Sequence, residues 1–169
     1  CHGSHGILPA ENAQSQVNRK NVPATCAACH AEVSKAYGES VHGVAAAAGI
    51  GESPVCTDCH GEHRILGPGD KGSPVYASNV PKMTCGRCHG DLRVTEKFGL
   101  KNTAVEAFDD SFHGLAGRSG DIKVANCASC HVEKMPKKDK ADLNDLGKKV
   151  KEAKGADGKI DWAKVTVPA

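Results

Sequence analysis

The sequence predicts a mostly irregular fold of short α-helices with little or no β-sheet, centred on buried material other than its own side chains. Three observations lead there. Of 169 residues only three are Phe, two Tyr and one Trp, although a domain of this size ordinarily buries many aromatic rings. Glycine, at 19, and proline, at eight, break up any long helix or strand. Nine cysteines and nine histidines, both scarce residue types, recur in a fixed pattern, and small exported domains short of apolar core commonly rely on disulfides or metals instead.

The pattern is C-x-x-C-H, and it occurs four times: Cys26-Ala27-Ala28-Cys29-His30, Cys56-Thr57-Asp58-Cys59-His60, Cys85-Gly86-Arg87-Cys88-His89 and Cys127-Ala128-Ser129-Cys130-His131. This is the attachment signature of c-type haem. Two thiols add to the two vinyl groups of the porphyrin, the intervening residues set the sulfur separation, and the adjacent imidazole lies under the iron as its proximal ligand. Paired C-x-x-C units also bind structural zinc, close disulfides or act as redox dithiols. None of these requires His directly after the second Cys. With His at about one residue in twenty, four such coincidences have a chance of roughly one in 10⁵. The motifs use eight of the nine cysteines. Four c-type haems are therefore expected, held by Cys26, Cys29, Cys56, Cys59, Cys85, Cys88, Cys127 and Cys130, with His30, His60, His89 and His131 as proximal iron ligands.

Five histidines remain: His2, His5, His42, His63 and His113. Four irons with two imidazoles each need eight histidines, and nine are present, so low-spin, bis-histidine haems are expected throughout. His60 and His63 are too close in sequence to serve one iron, so His63 and its repeat equivalent His5 are expected to reach neighbouring haems. His42 and His113 are the other expected distal ligands. Met83 and Met135 are not expected to ligate.

An internal repeat orders these residues. Cys1-His2-Gly3-Ser4-His5-Gly6-Ile7-Leu8 matches Cys59-His60-Gly61-Glu62-His63-Arg64-Ile65-Leu66, and Asn21-Val22-Pro23 before Thr25-Cys26 matches Asn79-Val80-Pro81 before Thr84-Cys85. Ser40-Val41-His42-Gly43 then matches Ser111-Phe112-His113-Gly114, after an insertion of about a dozen residues between Gly90 and Ser111. Residues 1–55 read as a first haem-repeat unit, 56–131 as a second, and 132–169 as a Lys-rich C-terminal helix and tail. Helices are expected near 28–37, 40–48 and 103–115. Leu143, Leu146 and Val150 add an amphipathic helix over 140–154. Residues 66–82, with Pro68, Pro74 and Pro81, read as loop. Cys1-His2 occupy the last two positions of a C-x-x-C-H motif, so a fifth haem is expected there if the chain extends upstream. A site whose haem was lost, or a lipidated N-terminal cysteine, are the alternatives.

The arrangement C-x-x-C-H-G-x-H-x-I, then C-x-x-C-H and S-x-H-G, over roughly residues 1–131 resembles a family of bacterial and archaeal multihaem cytochromes c. The resemblance implies bis-histidine haems stacked into a wire, with electrons arriving from a membrane quinol-oxidising complex or leaving to other multihaem cytochromes and outer-surface acceptors. Some relatives assemble into filaments, so a homo-oligomer or cytochrome filament is among the expected assemblies. The expected role is electron transfer in an extracytoplasmic respiratory pathway, such as anaerobic respiration, and not catalysis. The competing reading is a multihaem reductase of a small nitrogen or sulfur oxyanion. That reading needs an open iron, whereas every motif here ends in His and none in Lys. The formal charge of +2 gives no nucleic-acid footprint. No apolar run approaches membrane-spanning length, so no transmembrane segment is expected. Haem attachment of this kind implies a periplasmic or extracellular protein, whose export signal is not in the sequence read here.

Overall fold

The computed structural model describes residues 1–131 and, beyond them, Glu152, which is helical and exposed; the rest of the expected helix over 140–154 lies outside the described residues. Among the described residues every regular element is helical and there is no strand. No helix there is long and apolar enough to cross a membrane. The contacts divide the described chain between Asp58 and Cys59, inside the second motif; the boundary expected from the repeat lay three residues earlier.

The first unit, residues 1–58, opens with a ladder of turns. Asn12, Ser15, Asn18 and Asn21 each donate their backbone N–H to the carbonyl three residues earlier. Three side chains lock the ladder. Ser15, only 3% exposed, donates its hydroxyl to Leu8 O at 3.0 Å. Asn21 donates to Ala13 O and Ser15 O, and Thr25 donates to Gln16 O. Helix α1 (Val22–Ala27) follows, with Pro23 in its first turn, where no intrahelical N–H is needed. Then come α2 (Ala31–Gly38) and α3 (Val41–Ala47).

Ser40 separates α2 from α3. Its backbone is extended, its hydroxyl oxygen accepts the Gly43 N–H at 3.1 Å, and its O–H donates to Tyr37 O at 2.6 Å. An N-cap of this kind satisfies one of the orphan donors of the helix start and turns the chain. Gly43 is required because a Cβ there would run into the carbonyl of Tyr37.

The second unit, described over residues 59–131, repeats this plan. Asp70, Ser73, Tyr76 and Asn79 form the same turn ladder. Ser73 is fully buried and donates to Leu66 O at 3.0 Å. Asn79 donates to Lys71 O and Ser73 O, and Thr84 to Pro74 O. Residues 66–82, expected as loop, are thus a hydrogen-bonded scaffold. The second unit has one more residue between Pro81 and Cys85 than the first has between Pro23 and Cys26. The chain absorbs it as a π-turn (Val80–Cys85), closed by Gly86 N–H bonding back to Pro81 O. Gly86 lies so close to that carbonyl that a side chain would meet it.

After α5 (Gly86–His89), the inserted residues fold into α6 (Leu92–Phe98), which the sequence reading had not assigned. Asp91 caps its start by accepting from Arg93 N–H at 2.9 Å, and Gly99 ends it at φ 63°, a left-handed conformation natural to glycine. The single helix expected over 103–115 is two, α7 (Ala104–Asp109) and α8 (Phe112–Arg118). The break is chemical: Ser111 is extended, accepts from Gly114 N–H at 3.3 Å and donates to Phe108 O at 2.6 Å. Local helical preference on either side does not override that cap.

Candidate functional site

Where a motif is helical throughout, its two cysteines, three residues apart, share one face with the histidine one residue on. The second motif is the whole of α4 (Cys56–His60) and the fourth the whole of α9 (Cys127–His131). In the first, Cys26 lies in α1 and the turn continues through Cys29 N–H and His30 N–H, both bonding to Cys26 O. In the third, Cys85 ends the π-turn and α5 carries Cys88 and His89.

Side chains hold the starts of α4 and α9. Asp58 accepts the Val55 N–H at 2.6 Å, and Ser129 accepts the equivalent Asn126 N–H at 3.1 Å. A residue in the first turn reaching back to the capping N–H is one half of a capping box. In the first unit Arg19 ties the turn ladder to this point, pairing with Asp58 at 2.8 Å and donating to Ser53 O at 2.6 Å. In the second unit the repeat equivalents exchange roles, and Asn126 donates to Ala77 O at 3.2 Å. These polar fasteners are functional-site residues the sequence reading missed. Their signal was the polar residue just before the second cysteine, Asp58 or Ser129, three residues after the position that precedes the turn, which is capping-box spacing.

None of the nine cysteines is in a disulfide, and all eight motif cysteines are half-buried or exposed. In the second unit Cys85 and Cys127, the first cysteines of two different motifs, are hydrogen-bonded to each other. Cys85 keeps the proton: the bond to Cys127, and then burial, push its pKa far up, while the same bond lowers that of Cys127 to about 7. His89 and His131, the two proximal candidates of the same motifs, are electrostatic neighbours. Burial first, then the His131 charge, hold His89 below the usual imidazole range. That favours the neutral ring a metal requires.

The distal candidates are placed differently. His42 is half-buried in α3, its carbonyl accepting the Ser53 hydroxyl at 2.7 Å. His113 sits in α8 edge-on to Phe112, with ring centroids 5.8 Å apart. It also lines a cavity of about 80 Å³ in the second unit. His5, His63 and His2 are exposed; His5 Nδ1 lies 3.1 Å from Ser4 Oγ, and His2 Nδ1 3.1 Å from Gly3 O. Among the described residues no three His, Cys, Asp or Glu side chains converge on a point that could hold a metal ion.

The chain meets the demands of a large apolar group carried on its surface turns. Among the described residues the buried hydrophobic core is Val22, Ile50, Val55 and Val80 alone. Ile7, Ile65, Leu92, Leu115 and Phe112 are all more than half exposed, Phe112 at 74%. Paired accessible thiols beside that much uncovered apolar surface fit covalent porphyrin attachment. Comparison with protein-family models, curated proteins and solved structures gave no match.

Proposed function

We propose that this chain carries electrons through four covalently attached c-type haems outside the cytoplasm. The observation that carries the reading is the fourfold C-x-x-C-H, two copies of which are each a single helix, while the other two begin at the end of a helix or π-turn. Haem iron supplies one-electron redox chemistry, and the polypeptide's part is to place it and set its surroundings. Cys26 and Cys29, Cys56 and Cys59, Cys85 and Cys88, and Cys127 and Cys130 hold the porphyrins. His30, His60, His89 and His131 are the proximal ligands, and His5, His42, His63 and His113 the distal ones. The adjacency of Cys85 and Cys127 supports a close pair at the third and fourth motifs. Bis-imidazole ligation, lacking a thioether, favours low potentials. Suitable partners are other multihaem cytochromes or a membrane quinol-oxidising complex, reached as a single chain or within a filament.

Acid–acetone extraction of the purified holoprotein tests the reading. The colour is expected to stay with the polypeptide, and the intact mass to exceed that of the chain by four haems. Colour partitioning into the organic phase, or a zinc-loaded colourless protein, would end it.

A further inference from the structure

The polar fasteners of the second unit bring together two thiols of different motifs. Cys85 ends the π-turn, which Gly86 N–H closes onto Pro81 O. Cys127 begins α9, and the residue before it, Asn126, is tied to Ala77 O at 3.2 Å, just ahead of the π-turn. The π-turn and α9 lie against each other, and the two thiols share a hydrogen bond. Cys59 and Cys88 are electrostatic neighbours of Cys85, but the hydrogen bond goes to Cys127. Within each motif the thiols are less well placed for each other. Cys127 and Cys130 lie in one helix, and Cys85 and Gly86 have helical backbone leading into α5. Residues three apart on a helix hold their Cβ atoms about 5–6 Å apart, whereas a disulfide needs about 3.5–4.5 Å. Either motif must tighten its turn to close on itself. Two sulfurs on separate elements have no shared turn to distort.

We propose that Cys85 and Cys127 of the haem-free chain are a disulfide-forming pair, and that an oxidant of the disulfide class joins them and so disables the third and fourth motifs together. The disulfide rests on the contact between the two thiols, and its consequence rests on the haem attachment proposed above. Disulfide oxidants are the normal chemistry of the oxidising compartments in which the proposed function sets this chain. The step balances as thiol–disulfide exchange. Cys127, whose pKa the shared bond lowers to about 7, attacks one sulfur of the oxidant as its thiolate and releases the other as a thiol. Cys85 then displaces the remaining thiol from Cys127. Two S–H bonds are lost and one Sγ–Sγ bond is formed. The two electrons and two protons leave on the oxidant, which becomes two thiols. One thiol is thereby removed from each of two motifs, so neither can form both of its thioether bonds to a porphyrin. A disulfide inside one motif would disable that motif alone.

What the step needs is the local contact, held by polar fasteners, and not a finished core. A chain without that contact would join Cys85 to Cys88 instead, because the shorter loop costs less entropy to close. Trypsin separates the two outcomes. Cleavage after Lys82, Arg87, Lys123 and Lys134 puts Cys85 in residues 83–87, Cys88 in the peptide that follows, and Cys127 with Cys130 in residues 124–134. The full chain is produced in an oxidising compartment without haem, its free thiols are blocked at low pH, and it is digested unreduced for mass spectrometry. The main disulfide expected joins 83–87 to 124–134, with fragmentation placing the bond on Cys127. Reduction should abolish it, and Cys127→Ser should leave Cys85 as a blocked free thiol. Cys85 found free in the unaltered chain, or joined chiefly to Cys88, Cys59 or Cys130, would overturn the proposal. In chains matured with haem under too little reductant, the third and fourth motifs are expected to lose their double attachment together while the first two keep theirs. Loss at either one without the other would overturn the coupling. Absence of covalent haem from every motif, with the linked peptides present, would defeat the proposed function and leave the disulfide standing.

Discussion

Gly43 and Gly114 are the residues through which the S-x-H-G motif acquires a structural meaning. Each lies third in its helix, each N–H is held by the capping serine, and each would drive a Cβ into the carbonyl of the preceding helix, Tyr37 or Phe108. Contact with a fixed backbone carbonyl leaves nothing soft to yield. Gly43→Ala and Gly114→Ala are expected to cost about 1–3 kcal/mol each, the range for overpacking a tight contact, measured by denaturant unfolding of the holoprotein. A loss below about half a kcal/mol would show that the helices separate freely. The adjacent histidine has a different signature. His113→Ala is expected to convert one low-spin haem to high spin in the electron paramagnetic resonance spectrum. Four unaltered low-spin signals would remove His113 from the ligand set.

At the scale of elements, the parts visible in the sequence are those fixed by covalent or periodic constraint. Cys26, Cys56, Cys85 and Cys127 announce their turns because cysteines at i and i+3 with a histidine at i+4 recur at the spacing of one helical face, and the repeat registers Ser40 with Ser111. Helix over 103–115 was expected whole because propensity sees favourable residues on both sides of Ser111 and cannot see its hydroxyl competing for the Phe108 carbonyl. The π-turn was present in the sequence as the change of repeat offset at Thr84, but an offset does not say how the extra residue is stored. Helix α6 was hidden in an insertion with nothing to align against, although Asp91 and Gly99 are recognisable end signals in hindsight. The turn ladders were read as loop because Pro and Gly dominate 66–82, while the binding information lies in Ser73 and Asn79. Ser73→Ala strips the Leu66 carbonyl of its buried partner and the Val75 N–H of its acceptor at 3.3 Å. The expected loss is about 1–3 kcal/mol, and Ser15→Ala, bonded in the same way to Leu8 O, should lose a similar amount. Measured losses near zero in both would show that the ladder is held by its backbone turns alone.

For the whole molecule the decisive quantity is how little apolar surface the chain hides by itself. Val22, Ile50, Val55 and Val80 are the buried hydrophobic side chains among the described residues, and none is aromatic. Full burial of such a side chain is worth about 1.5–3 kcal/mol, whereas ordering the backbone costs about 1–2 kcal/mol for every residue fixed. Turn ladders, caps and ion pairs add only fractions of a kcal/mol to about 1.5 kcal/mol each, because protein hydrogen bonds replace bonds to water. About 130 described residues with four buried hydrophobic side chains are therefore not expected to hold a unique fold by burial alone, and Ile7, Ile65, Leu115 and Phe112 among them stay exposed. Porphyrins attached beside them would supply that surface. It follows that the polypeptide with its eight motif cysteines replaced by serine should not melt cooperatively. Scanning calorimetry is expected to give an unfolding enthalpy far below the roughly 90 kcal/mol that ordinary packing of about 130 residues implies at about 0.7 kcal/mol per residue. Dye binding to exposed apolar surface should be strong at low temperature and fall smoothly on heating. The same chain with haems attached should show a single sharp transition. A cooperative transition of full enthalpy in the serine variant would mean that the packing of the chain is self-sufficient, and that the haems are cargo on a finished scaffold rather than its core.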